Sequence, residues 1–187
     1  KEYRKKQTAE SRLADFIRSA KEEADYIDSV TDALSRAQTD AEITEIKNEL
    51  VQTGFLKHRA AKNQKNQKLL KPMEYESSEG FKIFVGRNNI MNDKLTLKTA
   101  KNYDLWFHVK DGAGAHVVVQ SENGREFTDK LIREAAMLAA QNSKAAASSN
   151  VAVDYTIIKN VKKPGGAKPG MVIYDNYNTC LLYTSPS

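Results

Sequence analysis

A single cysteine, Cys180, leaves this chain no partner for an internal disulfide and no set of thiolates for a metal centre. The histidines His58, His108 and His116 include no pair at the His-x3-His spacing of a helical zinc site. No apolar run approaches the ~18 residues of a membrane span, and no basic, apolar leader opens the chain. The expectation is a cytoplasmic protein with no membrane contact and no metal. There is no Gly-x-Ser-x-Gly elbow, no pair of carboxylates at hydrolytic spacing and no Gly-x4-Gly-Lys phosphate loop. Neither catalysis nor a cofactor is expected. The chain starts at Lys1 in what reads as mid-helix, as a piece of a longer protein would.

Charge is plentiful and unevenly placed. Net charge is +5, but residues 1–50 carry 9 basic and 12 acidic side chains, net −3, against net +8 for the remainder. A mildly acidic arm followed by a basic body favours a polyanionic partner, and leaves nucleic acid and an anionic membrane both open.

Residues 1–56 read as a helical, coiled-coil arm. Leu13, Ala20, Ile27 and Leu34 recur every seven residues, with Phe16, Ile17, Ala24 and Val30 as a second seam. Such a stripe suits a partner helix; the other reading is an amphipathic helix lying on its own domain. A break near Thr39 precedes a second helix through Ile43, Ile46 and Leu50, which Gly54 would close. Residues 57–74 form a basic linker. Arg59, Lys62, Lys65, Lys68 and Lys71 recur every third residue, with no acid between Glu49 and Glu74. These cations suit a nucleic-acid backbone, or a merely solubilising segment.

Residues 75–178 should form a compact α+β domain with a mixed, largely antiparallel sheet and two main helices. Strands are expected at residues 81–85, 104–110, 116–120, 151–161 and 171–174. Asn92 is expected to cap a short helix and Thr128 a longer one, with Asn123-Gly124 as a hairpin turn. Residues 180–187 resemble translated adapter sequence, and 179–187 read as a non-native or disordered tail.

The segment Asp104-Leu105-Trp106-Phe107-His108-Val109-Lys110 carries the most information. Period-two geometry puts Leu105, Phe107 and Val109 in the core and Trp106, His108 and Lys110 together on the other face. That row suits stacking on a base beside a phosphate contact; the bland reading packs Trp106 under a loop. Gly86-Arg87-Asn88-Asn89 with Asn92-Asp93 either cradles a phosphate oxygen or does turn and capping work. Lys159, Lys162, Lys163 and Lys168 surround a Pro-Gly-Gly loop and read as a basic tip on a sugar-phosphate backbone.

Taken in order, these segments resemble a known family. Gly86-Arg87-Asn88-Asn89, Asn92-Asp93-x-Leu95-Thr96, Asp104-x-Trp106-Phe107-His108-x-Lys110-Asp111 and Gly114-x-His116-Val117-Val118 look like the RNA-binding module of the NFACT family. Ser143-Lys144, Val153-Asp154-Tyr155-Thr156, Lys163-Pro164-Gly165 and Lys168-Pro169-Gly170 continue the match. Met91, Ala113, Ala115 and Asn142 stand where the family usually has Gln, Pro, Ser and Tyr. The resemblance implies ribosome-associated quality control: binding of obstructed large ribosomal subunits through their rRNA, handling of tRNA, and alanine tailing of the stalled chain. It adds His116 and Lys144 to the candidate nucleic-acid residues. It also implies that the arm's partner helix comes from the amino-terminal part of the same protein. Older naming within the family supplies the alternative, a fibronectin-binding surface adhesion module.

Overall fold

The computed structural model describes residues 2–57 and 70–183. With no glycine or proline before Gly54, the chain opens in two helices, α1 (Glu2–Arg36) and α2 (Asp40–Gln52). Thr39 starts α2 through a capping box: its hydroxyl accepts from the Glu42 backbone N–H while the Glu42 carboxylate accepts from the Thr39 N–H. The helices pack through Tyr26, Val30 and Ala33 against Ile46, with Leu50, Phe55 and Met171 alongside.

The heptad stripe therefore divides. Val30 turns inward, whereas Leu13, Phe16, Ile17, Ile27 and Leu34 stay at the surface. The arm lies on its own domain through the end of α1 and through α2, with α1 packing by a face centred on Tyr26 rather than by the expected seam.

The body is built on a six-stranded sheet in the order β1-β2-β4-β3-β5-β8, with every neighbouring pair antiparallel. Its strands are β1 (Met73–Glu76), β2 (Lys82–Val85), β3 (Leu105–Val109), β4 (Val117–Val119), β5 (Asn150–Ile157) and β8 (Asn178–Tyr183). A separate pair, β6 (Val161–Lys162) and β7 (Ile173–Tyr174), forms the small hairpin. Helix α4 (Asp129–Gln141), capped by Thr128, covers one face of the sheet. Leu131, Ala135, Ala136 and Ala139 of α4 meet Ile83, Val85, Phe107, Val109, Val117 and Val153 there in the main core. The expected α+β class with an antiparallel sheet is what the chain adopts.

Three local expectations are corrected. Helix α3 (Asn89–Lys94) is capped by Asn88 rather than Asn92, and runs directly into a π turn at Leu95–Thr99. The Asn123-Gly124 turn leads from β4 into α4 and closes no hairpin. Residues 179–183 are no disordered tail: β8 pairs with β5 from Asn178↔Tyr155 to Asn150↔Tyr183, and Leu182 enters the main core. The domain also begins earlier than expected, since β1 includes Met73 and Glu74.

Candidate nucleic-acid interface

Strand β3 divides its side chains between two cores. Leu105, Phe107 and Val109 face α4, as the alternation requires. The other face is also covered, because the π turn and the β6–β7 hairpin fold over it. Leu95, Ile158, Val161, Val172 and Tyr174 bury Trp106 beneath them. The expected open stacking row is thereby corrected: Trp106 is fully buried, His108 half-buried and only Lys110 exposed. Trp106 meets rings, with His108 stacked at 5.8 Å, His116 edge-on at 5.2 Å and Tyr174 tilted at 4.9 Å. The acid that opens the motif is structural, since the Asp104 carboxylate accepts from the backbone N–H of Lys101 and of Ser121.

His116 is buried, with its Nδ1 2.8 Å from the Thr96 hydroxyl. Burial pushes the pKa of both imidazoles below the usual histidine value, and His108 depresses His116 further. Both are neutral near neutral pH, so neither supplies a cation to a phosphate.

The Gly-Arg-Asn-Asn segment is a joint, and the phosphate cradle is corrected. Helix α2 presents Glu42, Glu45 and Glu49 on one face, three and four residues apart. Successive residues of the body grip them. Arg87 Nη1 lies 2.6 Å from Glu42 Oε1, Asn88 Nδ2 donates to Glu45 Oε2 at 2.8 Å, and Asn89 Nδ2 donates to Glu49 Oε1 at 3.0 Å. Asn89 also donates to the Ser29 hydroxyl of α1 at 2.9 Å. Asn92 points inward, where its Oδ1 accepts from the His116 N–H at 3.1 Å. Glycines make these approaches possible. A Cβ on Gly86 would strike the Asn92 side chain, and one on Gly170, at φ +78, would lie 2.6 Å from Asn89 Oδ1.

Glu49 is almost fully buried, and burial raises its pKa despite hydrogen bonds from Asn89 and from the Tyr26 hydroxyl. Asn89→Ala should destabilise the arm–body joint by about 1–3 kcal/mol, because it leaves a buried carboxylate short of a donor. Denaturant unfolding of the variant beside the parent checks this. An unchanged midpoint would mean that the joint carries no load.

The expected basic contacts also sort by partner. Arg59, Lys62, Lys65 and Lys68 lie outside the described residues. Lys144 pairs with Asp28 of α1 at 2.6 Å, and Lys163 with Asp93 at 2.6 Å. Lys168 sits 5.0 Å above the Phe55 ring. With Arg87, these cations tie the domain to itself and to the arm, so their charges are largely engaged internally.

Lys159 and Lys162 differ, being exposed and forming no ion pair among the described residues. They have company that sequence reading missed. The Lys159 N–H donates to the Asn102 carbonyl at 3.0 Å, which sets the turn after β5 beside the loop before β3. Leu95 from one side and Ile158 and Val161 from the other share the smaller core, which leaves Lys94, Lys98, Lys101, Lys159 and Lys162 outside. Tyr103, 71% exposed, stands in the same loop. Exposed lysines on adjoining segments, with an exposed ring in one of them, match a sugar-phosphate backbone carrying unpaired bases. Only a pattern joining residues ~60 apart in the chain would have revealed them, and no single segment carries one.

A cleft of about 400 Å3 opens between α1 and the uncovered end of this sheet face, lined by Trp106, His108, Lys110, Gly112 and Tyr174 with Asp25 of α1. The Trp-Phe-His and Gly-x-His segments converge on it, the first from β3 and the second from the turn before β4.

Comparisons with known proteins agree with this architecture. Residues 71–176 match the family described as NFACT protein RNA binding domain, and residues 1–69 match NFACT N-terminal and middle domains. The Rqc2 homolog RqcH of Bacillus subtilis is 44% identical over 182 residues, 96% of this chain and 31% of its own length. That of Streptococcus suis is 42% identical over 180 residues, 96% of this chain and 32% of its own length. A solved structure described as the C-terminal of the fibronectin/fibrinogen-binding protein from Streptococcus suis superposes with a TM-score of 0.87 at 41% identity. It covers 100% of this chain and 72% of that one. The sheet and its motifs thus fall in the family's RNA binding domain, and the helical arm in its N-terminal and middle domains. The chain belongs to the NFACT family. It spans about a third of the length of the curated relatives it matches.

Proposed function

We propose that this chain is the RNA-contacting part of a ribosome-associated quality-control factor. In the whole protein it engages obstructed large ribosomal subunits and tRNA, and supports alanine tailing of the stalled nascent chain. The observation that carries the reading is a set of exposed lysines paired with no described acid, Lys94, Lys98, Lys101, Lys159 and Lys162, on segments that share the smaller core and meet at the Lys159–Asn102 hydrogen bond, next in sequence to the exposed Tyr103. The relatives' names and the family's description as RNA binding support it. The chain does no chemistry of its own in this reading; it positions RNA. The uncovered Leu13, Phe16 and Ile17 stripe receives a helix from the amino-terminal part of the protein. No helix among the described residues is long and apolar enough to cross a membrane.

A second reading, surface adhesion, rests on the fibronectin/fibrinogen-binding description of the superposable Streptococcus suis structure. Binding of the chain to structured RNA and to immobilised fibronectin across a salt series separates the two. If about five lysines meet phosphates, log K should fall against log salt with a slope of about −3.5 to −4.5. Fibronectin binding without RNA affinity, or RNA binding indifferent to salt, would overturn the RNA reading.

A further inference from the structure

A tyrosine ring stands in solvent on one tightly held turn of the body. In residues 101–104 the Asp104 N–H donates to the Lys101 carbonyl at 3.0 Å, and the Lys101 N–H donates to the Asp104 carboxylate at 2.8 Å. The turn is also pinned by its neighbours. The Asp104 carboxylate accepts from the Ser121 N–H at 2.9 Å, while the Asn102 and Asp104 carbonyls accept from the N–H groups of Lys159 and Ile158 at 3.0 and 2.9 Å. Tyr103, third in this turn, is 71% exposed, and its side chain joins no hydrogen bond or ring contact among the described residues. Exposure of one apolar residue is ordinary in itself. Here the backbone beneath the ring is fixed, so a flat ligand meets a platform whose ordering cost is confined to the side chain.

The charges of the adjoining stretches select the ligand. No acid lies between Asp93 and Asp104, or between Asp154 and Asp175. Asp93, Asp104 and Asp154 are engaged by Lys163, by Ser121 and by the Tyr174 hydroxyl. Lys101 shares the turn with the ring, and the Lys159 backbone is bonded to it. The ligand that meets this ring is therefore part of a polyanion, and its flat element is a base with an open face. A base inside a duplex offers no such face, whereas an unpaired one does. The loop follows directly on the π turn at Leu95–Thr99, an irregularity often found at functional sites. We propose that Tyr103 stacks on an unpaired base of the bound RNA, while the lysines of the two stretches hold the adjoining phosphates. The inference rests on the RNA reading and deepens it: the lysines alone would take any strand, and the ring takes one with bases free to stack.

The experiment compares the intact chain with its Tyr103→Ala and Tyr103→Phe variants across a salt series. The probes are a labelled single-stranded RNA, an abasic strand of the same length and charge, and polyglutamate. Tyr103→Ala should weaken the base-carrying strand about tenfold, the scale of one stacked base, and leave the abasic strand unchanged. The salt slope should stay the same, because no charge is removed. Tyr103→Phe, which keeps the ring, should bind as the parent does. Salt-dependent RNA binding that Tyr103→Ala leaves intact would overturn the stacking site and leave the RNA reading standing. An equal loss in Tyr103→Phe, or an equal loss on the abasic strand, would also overturn it, since neither outcome comes from a stacked base. Polyglutamate bound as tightly as the strand would overturn it in favour of an acidic protein partner. No salt-dependent affinity for either strand would overturn both readings.

Discussion

Trp106→Ala should destabilise the body by about 3–5 kcal/mol, as much as Phe107→Ala, because each removes a fully buried ring from a packed core. The two side chains leave β3 in opposite directions and enter different clusters, so they test both faces of the sheet. Denaturant unfolding of the two variants checks it. A Trp106→Ala protein as stable as the parent would mean that the π turn and the β6–β7 hairpin do not close over this face. Any loss of RNA affinity in Trp106→Ala follows from the lost packing, since the buried indole presents no surface to a ligand.

The second large effect concerns the lysine surface. Replacing Lys98, Lys101, Lys159 and Lys162 together by Gln should lower affinity for structured RNA by ~10³-fold at 0.1 M salt. Each lost phosphate contact removes about 0.7–0.9 of a decade at that salt through counterion release. The salt slope should flatten in proportion. Stability should hold, since these side chains are exposed and unpaired, and surface substitutions of that kind usually stay within about 0.5 kcal/mol. Filter binding over a salt series, beside a thermal melt of the same preparations, checks both halves. Full affinity in the variant would place the RNA elsewhere on the chain.

The sequence made some of this legible and hid the rest for identifiable reasons. Alternation along β3 correctly sends Leu105, Phe107 and Val109 into the core, because the strand period is local. It cannot say whether the opposite face is covered. The cover comes from Leu95 and Val161, which lie on other segments. The break near Thr39 and the helix start at Thr128 are local in the same sense. The Gly-Arg-Asn-Asn segment reads as an anion cradle because its partners, Glu42, Glu45 and Glu49, are about forty residues away in the chain. Lys144 and Lys163 were indistinguishable from free cations until Asp28 and Asp93 were placed beside them. Residues 179–183 read as part of a non-native or disordered tail, yet with Asn178 they pair along β5 and form the edge of the sheet.

The most direct test of the central claim is photochemical crosslinking of the full-length protein to obstructed large ribosomal subunits, with the crosslinked peptides mapped. The account predicts rRNA or tRNA adducts on the peptides that carry Lys98 to Tyr103 and Lys159 to Lys162. Adducts confined to the helical arm, with both of those peptides recovered unmodified, would contradict it.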